Sequence, residues 1–447
     1  ATDEGRIAVV LDKLNRYHIN AFQFYDWQYK HHQPVKREDG VPAAEWKDIA
    51  NRPVSFATVR RYIDGAHGRN MAAMSYNLLF GAYEDAEADG VSRDWGMFTD
   101  PLGERLDRHP LPDSWASDIV LMNPANEEWQ QYIFAEMRYA FEQLPFDGWH
   151  VDQLGNRGAR FDRRGVRIEL SKSYGTFLEK AKEALGKTLV MNAVDQYGQG
   201  YIAKAPVSFL YTEVWGTYPG YGDLKEIIDA NAKMSGGRLN TVLAAYVNYR
   251  KSETPGTFNA PGVLLADAVI FASGGGHLEL GEHMLSREYF PHRNLRMTEE
   301  LEERLIDYYD ALVAYQNLLR GEDLAPFRPN ASSGDVELSH EAERGKVWIF
   351  GKRSPHRDVV HLINFSDAAL MDWNDTDGLQ AEPAVRSGVR ISLEPAAGRT
   401  VKEVWTASPD FLHGSARAAK FAPGPDGRLE IALDRLQYWS MIVVEYE

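Results

Sequence analysis

Apolar positions along this chain alternate between a helical and an extended period. Ile7, Val10, Leu11 and Leu14 recur at i, i+3, i+4 and i+7, so residues 3–17 read as an amphipathic helix. A β-forming run from Asn20 to Trp27 follows, ending in the polar and aromatic cluster Tyr25, Asp26 and Trp27. The alternation then repeats. Residues 55–67 read as a helix, MAAMSYNLLFG as a strand with Tyr76 and Asn77 near its end, and 125–144 as a helix opened by Asn123 and Pro124. That helix delivers the chain to a short strand ending at Asp152. Beyond it the pattern predicts a helix over 171–185, a strand Thr188–Val194 with Asn192 near its end, and the strand of SFLYTEVW. A helix from Asp223 to Met234 follows, then a strand Leu239–Asn248 carrying Tyr246 and Asn248. The last elements of this series are a strand Ala266–Ala272 opening into SGGGHLELGE and a helix Thr298–Leu319. Between Tyr83 and Asn123 no long periodic segment occurs, although Trp95 and Trp115 lie there; a loop of that length in a compact domain reads as one wall of a cleft.

Strand and helix in repeated succession imply a parallel sheet, and polar residues at successive strand ends favour closure into a (β/α)8 TIM-type barrel over an open sheet. Seven strands are legible. The chain opens on the helix that should follow the first one, so either the first strand lies upstream of this sequence or an unrecognised element closes the sheet. From about Leu324 the pattern changes to short runs such as KVWIFGK, VVHLINF, GVRISLE and YWSMIVVEY separated by turn residues, which predicts an antiparallel β-sandwich. The expected domains are a barrel over 1–322 and a sandwich over 323–447, the latter structural, with glycan binding as a further role open to it.

Composition narrows the function. The 447 residues are 44% apolar, ample for a packed core. Basic residues number 49 against 65 acidic, a formal charge of −16 with no Lys/Arg-rich tract, which argues against nucleic acid or an anionic membrane as partner. A neutral ligand fits better. No cysteine is present, so disulfides and Cys-type zinc sites are excluded, and no apolar run reaches the roughly 18 residues of a membrane span. No signal peptide is visible, but the sequence starts at Ala1 without Met, as in a processed or trimmed chain, and an extracellular or periplasmic location is expected. The 12% of aromatic residues, with 11 Trp and 22 Tyr, suit a sugar-stacking cleft.

The candidate chemistry centres on two carboxylates. A lone Asp after a strand usually caps the next turn. Asp152, however, is matched by Glu213, which interrupts a second buried run just before Trp215, and an unpaired charge there is costly. Two carboxylates at neighbouring strand mouths, ringed by Trp and Tyr, are what glycosidic bond cleavage requires. Polar neighbours His150 and Gln153 point to an ionised Asp152 as nucleophile, and Tyr211, Val214 and Trp215 point to a desolvated Glu213 as acid/base. Asp26, Asn77, Asn192 and His277 are candidate partners for sugar hydroxyls, joined by Tyr76, His150, Tyr246 and Asn248. Tyr25, Trp27, Trp46 and Trp215 are candidate stacking platforms, each equally able to be core. Gly274–Gly276 lack the following Lys-Ser/Thr of a phosphate loop, and His31, His32, His150 and Asp152 match no metal-ligand spacing, so no cofactor and no metal are expected.

NRYHINAFQFYDW, YNLLFGA, FDGWHVDQLG, YTEVW with the following YGDLKEIIDANAKMSGGR, and ASGGGHLELGE resemble, in order, the successive motifs of glycoside hydrolase family 66, the family of dextranases and cycloisomaltooligosaccharide glucanotransferases. The resemblance covers roughly residues 3–320, and the C-terminal β-domain fits the family's layout. It implies Asp152 as nucleophile and Glu213 as acid/base of a retaining enzyme acting on α-1,6-linked glucan. Family members usually read GDTIG at the nucleophile, where this chain has Val151, Gln153 and Leu154, so the site floor differs. The transferases usually carry a carbohydrate-binding module inserted late in the barrel, and the short link between the Asn248 and Ala266 strands favours hydrolysis. The family's N-terminal β-domain is not seen. An endo-acting dextranase-type hydrolase is therefore expected, with a transglycosylase or an inactive glycan-binding protein as alternatives.

Overall fold

The computed structural model describes residues 3–278, 285–289, 292–424 and 426–447. The last four residues of ASGGGHLELGE lie outside them. The chain divides into two compact units, Ala1–Glu213 and Val214–Glu447.

In the first unit, helix α1 (Glu4–Arg16) is capped by the Asp3 side chain and buries Ile7, Leu11 and Leu14. It leads to strand β1 (Ala21–Phe24), helix α2 (Phe56–His67), strand β2 (Ala72–Leu78), helix α3 (Glu127–Gln143) and strand β3 (Gly148–Asp152). Helix α4 (Leu170–Leu185), strand β4 (Thr188–Met191) and strand β5 (Leu210–Val214) complete the series. Strands β1 to β4 form one parallel sheet in chain order. β5 continues it through the parallel bridge Asn192–Tyr211.

The register fixes which side chains share a face. His150 stands opposite Tyr76 and Val190, and Trp149 opposite Ser75 and Leu189. Because successive strand residues point to opposite faces, Tyr76, His150, Asp152, Asn192, Tyr211 and Glu213 fall on one side. Trp149 and Asn77 fall on the other, toward α3 and α4, where Trp149 meets Phe177 and Asn77 meets Met137.

Two sequence expectations shift here. Helix α3 begins at Asn126, whose side chain accepts from the Trp129 N–H, while Asn123 caps only a local turn by accepting from Ala125 N–H. The Tyr83–Asn123 stretch supplies two strands, Arg108–His109 and Ile119–Leu121, of a small antiparallel sheet completed by Gly81–Ala82.

The second unit opens with helix α5 (Tyr221–Ser235), whose Asp223 reaches back to the Gly220 N–H. Strand β6 (Thr241–Ala245) follows, then helix α6 (Ala260–Ser273) and strand β7 (Gly276–His277), which pairs parallel with β6. The expected strand Ala266–Ala272 is thus a helix. Its continuous apolar run reads as a buried strand, but Gly262 to Ser273 are buried on every side, which a core helix allows as readily. The two-residue β7 takes the strand's place. Helices α7 (Glu299–Ala314) and α8 (Gln316–Arg320), broken at Tyr315, replace the single helix expected to Leu319. After Arg320 the chain turns to antiparallel strands in two sheets. One is built on Val347–Arg353, Arg357–Asn364, Trp439–Tyr446 and Val401–Ala407, the other on Arg386–Leu393 and Leu429–Leu436. Both contribute to one apolar core that includes Ile349, Val360, Ile391, Val404, Ile431 and Ile442.

Candidate active site

The C-terminal ends of β3 and β5 bring Asp152 and Glu213 to one amide. Asn192, in the residue that follows β4, donates from Nδ2 to Asp152 Oδ1 at 2.9 Å and to Glu213 Oε2 at 3.0 Å. The two oxygens can therefore lie no farther apart than the sum of those legs. Asn192 Oδ1 accepts from the Glu213 N–H at 3.2 Å.

Asp152 is held from three directions. Tyr76 Oη donates to Oδ2 at 2.9 Å, Asn192 to Oδ1, and the Gln153 N–H adds a third bond. Burial pushes the Asp152 carboxyl above its usual range, and these three donors pull the other way. Tyr25 Oη stands 3.2 Å from Tyr76 Oη, with the two rings 3.9 Å apart. Since the single Tyr76 proton goes to the carboxylate, its oxygen is left to accept from Tyr25. Below the pair, the His150 ring packs against Tyr76 and edge-on against Tyr211. Burial lowers His150 to about 3, so it is a neutral imidazole. The expectation that His150 keeps Asp152 ionised is corrected: Tyr76 and Asn192 take that place.

Asp26, at positive φ just beyond β1, is buried against Arg52 Nη2 at 2.9 Å. Burial lifts its carboxyl to about 7 in spite of Arg52, with Asp48 and Asp152 adding to the rise. Arg52 divides its charge, because its Nε also holds Asp48 Oδ2 at 2.7 Å.

Other expected residues lie elsewhere. Trp27 and Trp46, 4% and 5% exposed, pack with Val35, Ile63, Leu144 and Phe146, and Trp46 Nε1 donates to the Trp27 carbonyl. As stacking platforms they are corrected to core residues. Asn77 is fully buried on the helix side of β2, bonded to His31 through both amide atoms. In the second unit, Asn248 is also fully buried, bracketing Asp375 and the Asn259 N–H. His277 is clamped between Asp267 Oδ1 at 2.7 Å and the Ala245 carbonyl at 2.9 Å. Trp215 and Tyr246 keep company, their rings 4.9 Å apart, with Tyr249 beside both.

Sequence reasoning passed over Tyr211 as a site residue, and Gln23 and Tyr249 altogether. The first two sit two positions before Glu213 and Tyr25, so strand alternation alone places them beneath the pair, where Gln23 bonds Tyr211. His32, Asp85 and Asp89 have the ligand types of a cation site. Lys30 Nζ already lies 2.7 Å from both carboxylates, and His32 Nδ1 accepts from the Tyr83 N–H. Among the described residues, no helix is long and apolar enough to cross a membrane.

The model of glycosyl hydrolase family 66 matches residues 2–443. Two cycloisomaltooligosaccharide glucanotransferases of Niallia circulans are each 26% identical, over 96% and 98% of this chain, and a dextranase of Streptococcus salivarius is 25% identical over 97%. The chain spans 58% of the length of the first and 60% of the other two. A crystal structure of a Paenibacillus sp. cycloisomaltooligosaccharide glucanotransferase complexed with cycloisomaltoheptaose superposes with a TM-score of 0.93, at 25% identity over 99% of this chain and 83% of that one. A maltogenic alpha-amylase of Thermotoga neapolitana, 13% identical with a TM-score of 0.57, shares the fold alone. The chain belongs to glycosyl hydrolase family 66.

Proposed function

We propose that the protein is a retaining, endo-acting hydrolase of α-1,6-linked glucan. Its scaffold is read as a (β/α)8 barrel over 1–322 followed by a β-sandwich over 323–447, acting outside the cell on an oligo- or polysaccharide. The observation that carries the reading is the shared Asn192 amide, whose 2.9 and 3.0 Å legs cap the separation of the bonded oxygens of Asp152 and Glu213. Two carboxylates whose nearest oxygens share one amide suit the roughly 5–5.5 Å carboxyl separation of a retaining enzyme better than the roughly 6.5–9.5 Å of an inverting one.

In the first step an Asp152 oxygen attacks the anomeric carbon, the glycosidic C–O bond breaks, and Glu213 delivers its proton to the departing oxygen. In the second, Glu213 takes a proton from water as the water oxygen attacks the same carbon and the bond to Asp152 breaks. Two carboxylates this close favour holding a single proton between them, and the donors aimed at Asp152 favour placing the charge there. Tyr25 in the first unit and Trp215 in the second, each half-buried, are each assigned as an apolar surface for a glucosyl ring.

The test is proton NMR of the anomer first released from dextran, together with Asp152→Asn and Glu213→Gln. Retention and the loss of turnover in both variants are expected; an inverted first product, or near-normal turnover in either variant, would overturn the assignment. The names of the relatives support a second reading, transglycosylation, in which a sugar hydroxyl replaces water in the second step. Chromatography of dextran products separates them, cyclic or rearranged isomalto-oligosaccharides marking the transferase.

A further inference from the structure

We infer that Asn192 is a positioning residue that sets the spacing and the shared charge of the Asp152–Glu213 pair, and is not a ligand for sugar. The inference rests on the reading of that pair as the reacting groups.

Every donor that Asn192 owns is already spent. Its backbone N–H donates to the Val151 carbonyl at 3.0 Å, and its two amide hydrogens go to Asp152 and Glu213. Its acceptors are engaged too: Oδ1 takes the Glu213 N–H and the backbone carbonyl takes Gln153 Nε2 at 3.2 Å. The Glu213 N–H can only donate, so it fixes the amide with oxygen toward β5 and nitrogen toward the carboxylates. At 3% exposure the side chain has neither surface nor a spare hydrogen for a hydroxyl of the substrate.

One nitrogen serving two carboxylates has a definite consequence. It stabilises each ionised form, and most of all the state in which both are charged, because mutual repulsion is then greatest. At Asp152 it shares this task with the Tyr76 hydroxyl and the Gln153 N–H. Desolvation holds Tyr25, Tyr76, Tyr211 and His150 neutral. Asp26 and Tyr174 also feel the Asp152 charge; burial holds Tyr174 neutral, and Asp26 titrates in wild type and variant alike.

The test uses Asn192→Ala and Asn192→Asp in the full chain, with two readouts. Thermal unfolding from pH 5 to pH 8, without substrate, should show a stability gap to wild type that widens as pH rises, more steeply for Asn192→Asp, which adds a third carboxylate. Parallel curves would mean packing alone and would overturn the inference. On dextran, kcat should fall by at least about tenfold with KM within about threefold, as the loss of a hydrogen bond to a charged group implies, and the acid limb of kcat should move to higher pH. A raised KM with kcat and the pH limb unchanged would instead make Asn192 a sugar ligand. Failure of wild type to cleave dextran would count against the proposed activity, while the unfolding gap judges Asn192 separately.

Discussion

The Tyr76 hydroxyl stands 2.9 Å from Asp152 Oδ2, reaching across from the neighbouring strand β2 to a carboxyl that burial pushes above its usual range. The bond favours the ionised acid, so its loss raises the Asp152 pKa and moves the ascending limb of the pH–rate profile to higher pH. Tyr76→Phe keeps the ring against Tyr25 and His150 and removes only the donor. We expect kcat/KM on α-1,6-glucan to fall by about 10- to 100-fold, the equivalent of ~1.5–3 kcal/mol for a bond to a charged group. An unshifted limb would show that the hydroxyl does not govern Asp152.

Asp26 makes an independent prediction for stability. Its carboxyl is raised from the ordinary 3.8 to about 7, burial outweighing Arg52. Between those values the folded chain binds more protons than the unfolded one, so this residue's contribution to stability declines as pH climbs through the window. Asp26→Asn cannot ionise and escapes that decline. The difference in unfolding temperature, variant minus wild type, should therefore rise steadily from pH 4 to pH 8. A constant difference would refute the proposed burial cost.

Much of this was legible in sequence, for physical reasons. The carboxylates sit at the ends of short β-branched and aromatic runs, and strand period sets their side of the sheet once one inward residue is known. The same rule, carried two residues further, separates Tyr76 from Asn77, which a list of polar residues near strand ends does not. Length was the weak point for α6, where an apolar run hydrophobic on all faces has no period to read. The Asn192 bridge was out of reach, because it depends on the side-by-side placement of β3, β4 and β5, and spacing along one chain carries no such information. His277 and Asn248 were picked as sugar partners because buried polar groups need partners; here the fold supplies those partners from Asp267, Ala245 and Asp375.

Trp27 and Trp215 should behave as opposites. Trp27 is buried against Trp46 and Phe146, at ring distances of 6.3 and 5.0 Å, so Trp27→Ala should cost about 3–5 kcal/mol of unfolding free energy. Trp27→Phe, a smaller cavity, should fold and leave KM for glucan unchanged. Trp215 is only half-buried beside Tyr246, and Trp215→Ala should raise KM about 5- to 50-fold at nearly constant stability. Calorimetry paired with initial rates decides; a KM effect at Trp27 would restore it as a platform.

Asp107 holds the loop that leaves strand β3. It is 3% exposed, and Arg157 approaches it at 2.7 and 3.0 Å while Arg160 approaches at 2.7 and 3.3 Å. The bridge of Phe98 with Phe161 ties the same two segments together. Burial would raise the Asp107 carboxyl, but the two guanidiniums more than reverse that and keep it below the ordinary range. Its stabilisation is therefore complete above the unfolded pKa and is lost as pH falls through the lower folded value. Asp107→Asn leaves two cations facing a neutral amide and should cost about 3 kcal/mol at pH 7, the low end for breaking a buried pair since both arginines keep some contact with water. Denaturant unfolding at pH 7 and then stepwise below the ordinary carboxyl value measures both halves of the expectation, since the gap to wild type should narrow below about pH 4 and close only under the lowered folded value. The freed 155–169 loop should also become the first site of proteolytic cleavage, with KM rising before kcat falls. A gap of equal size at every pH would mean that Asp107 acts through shape and not through charge.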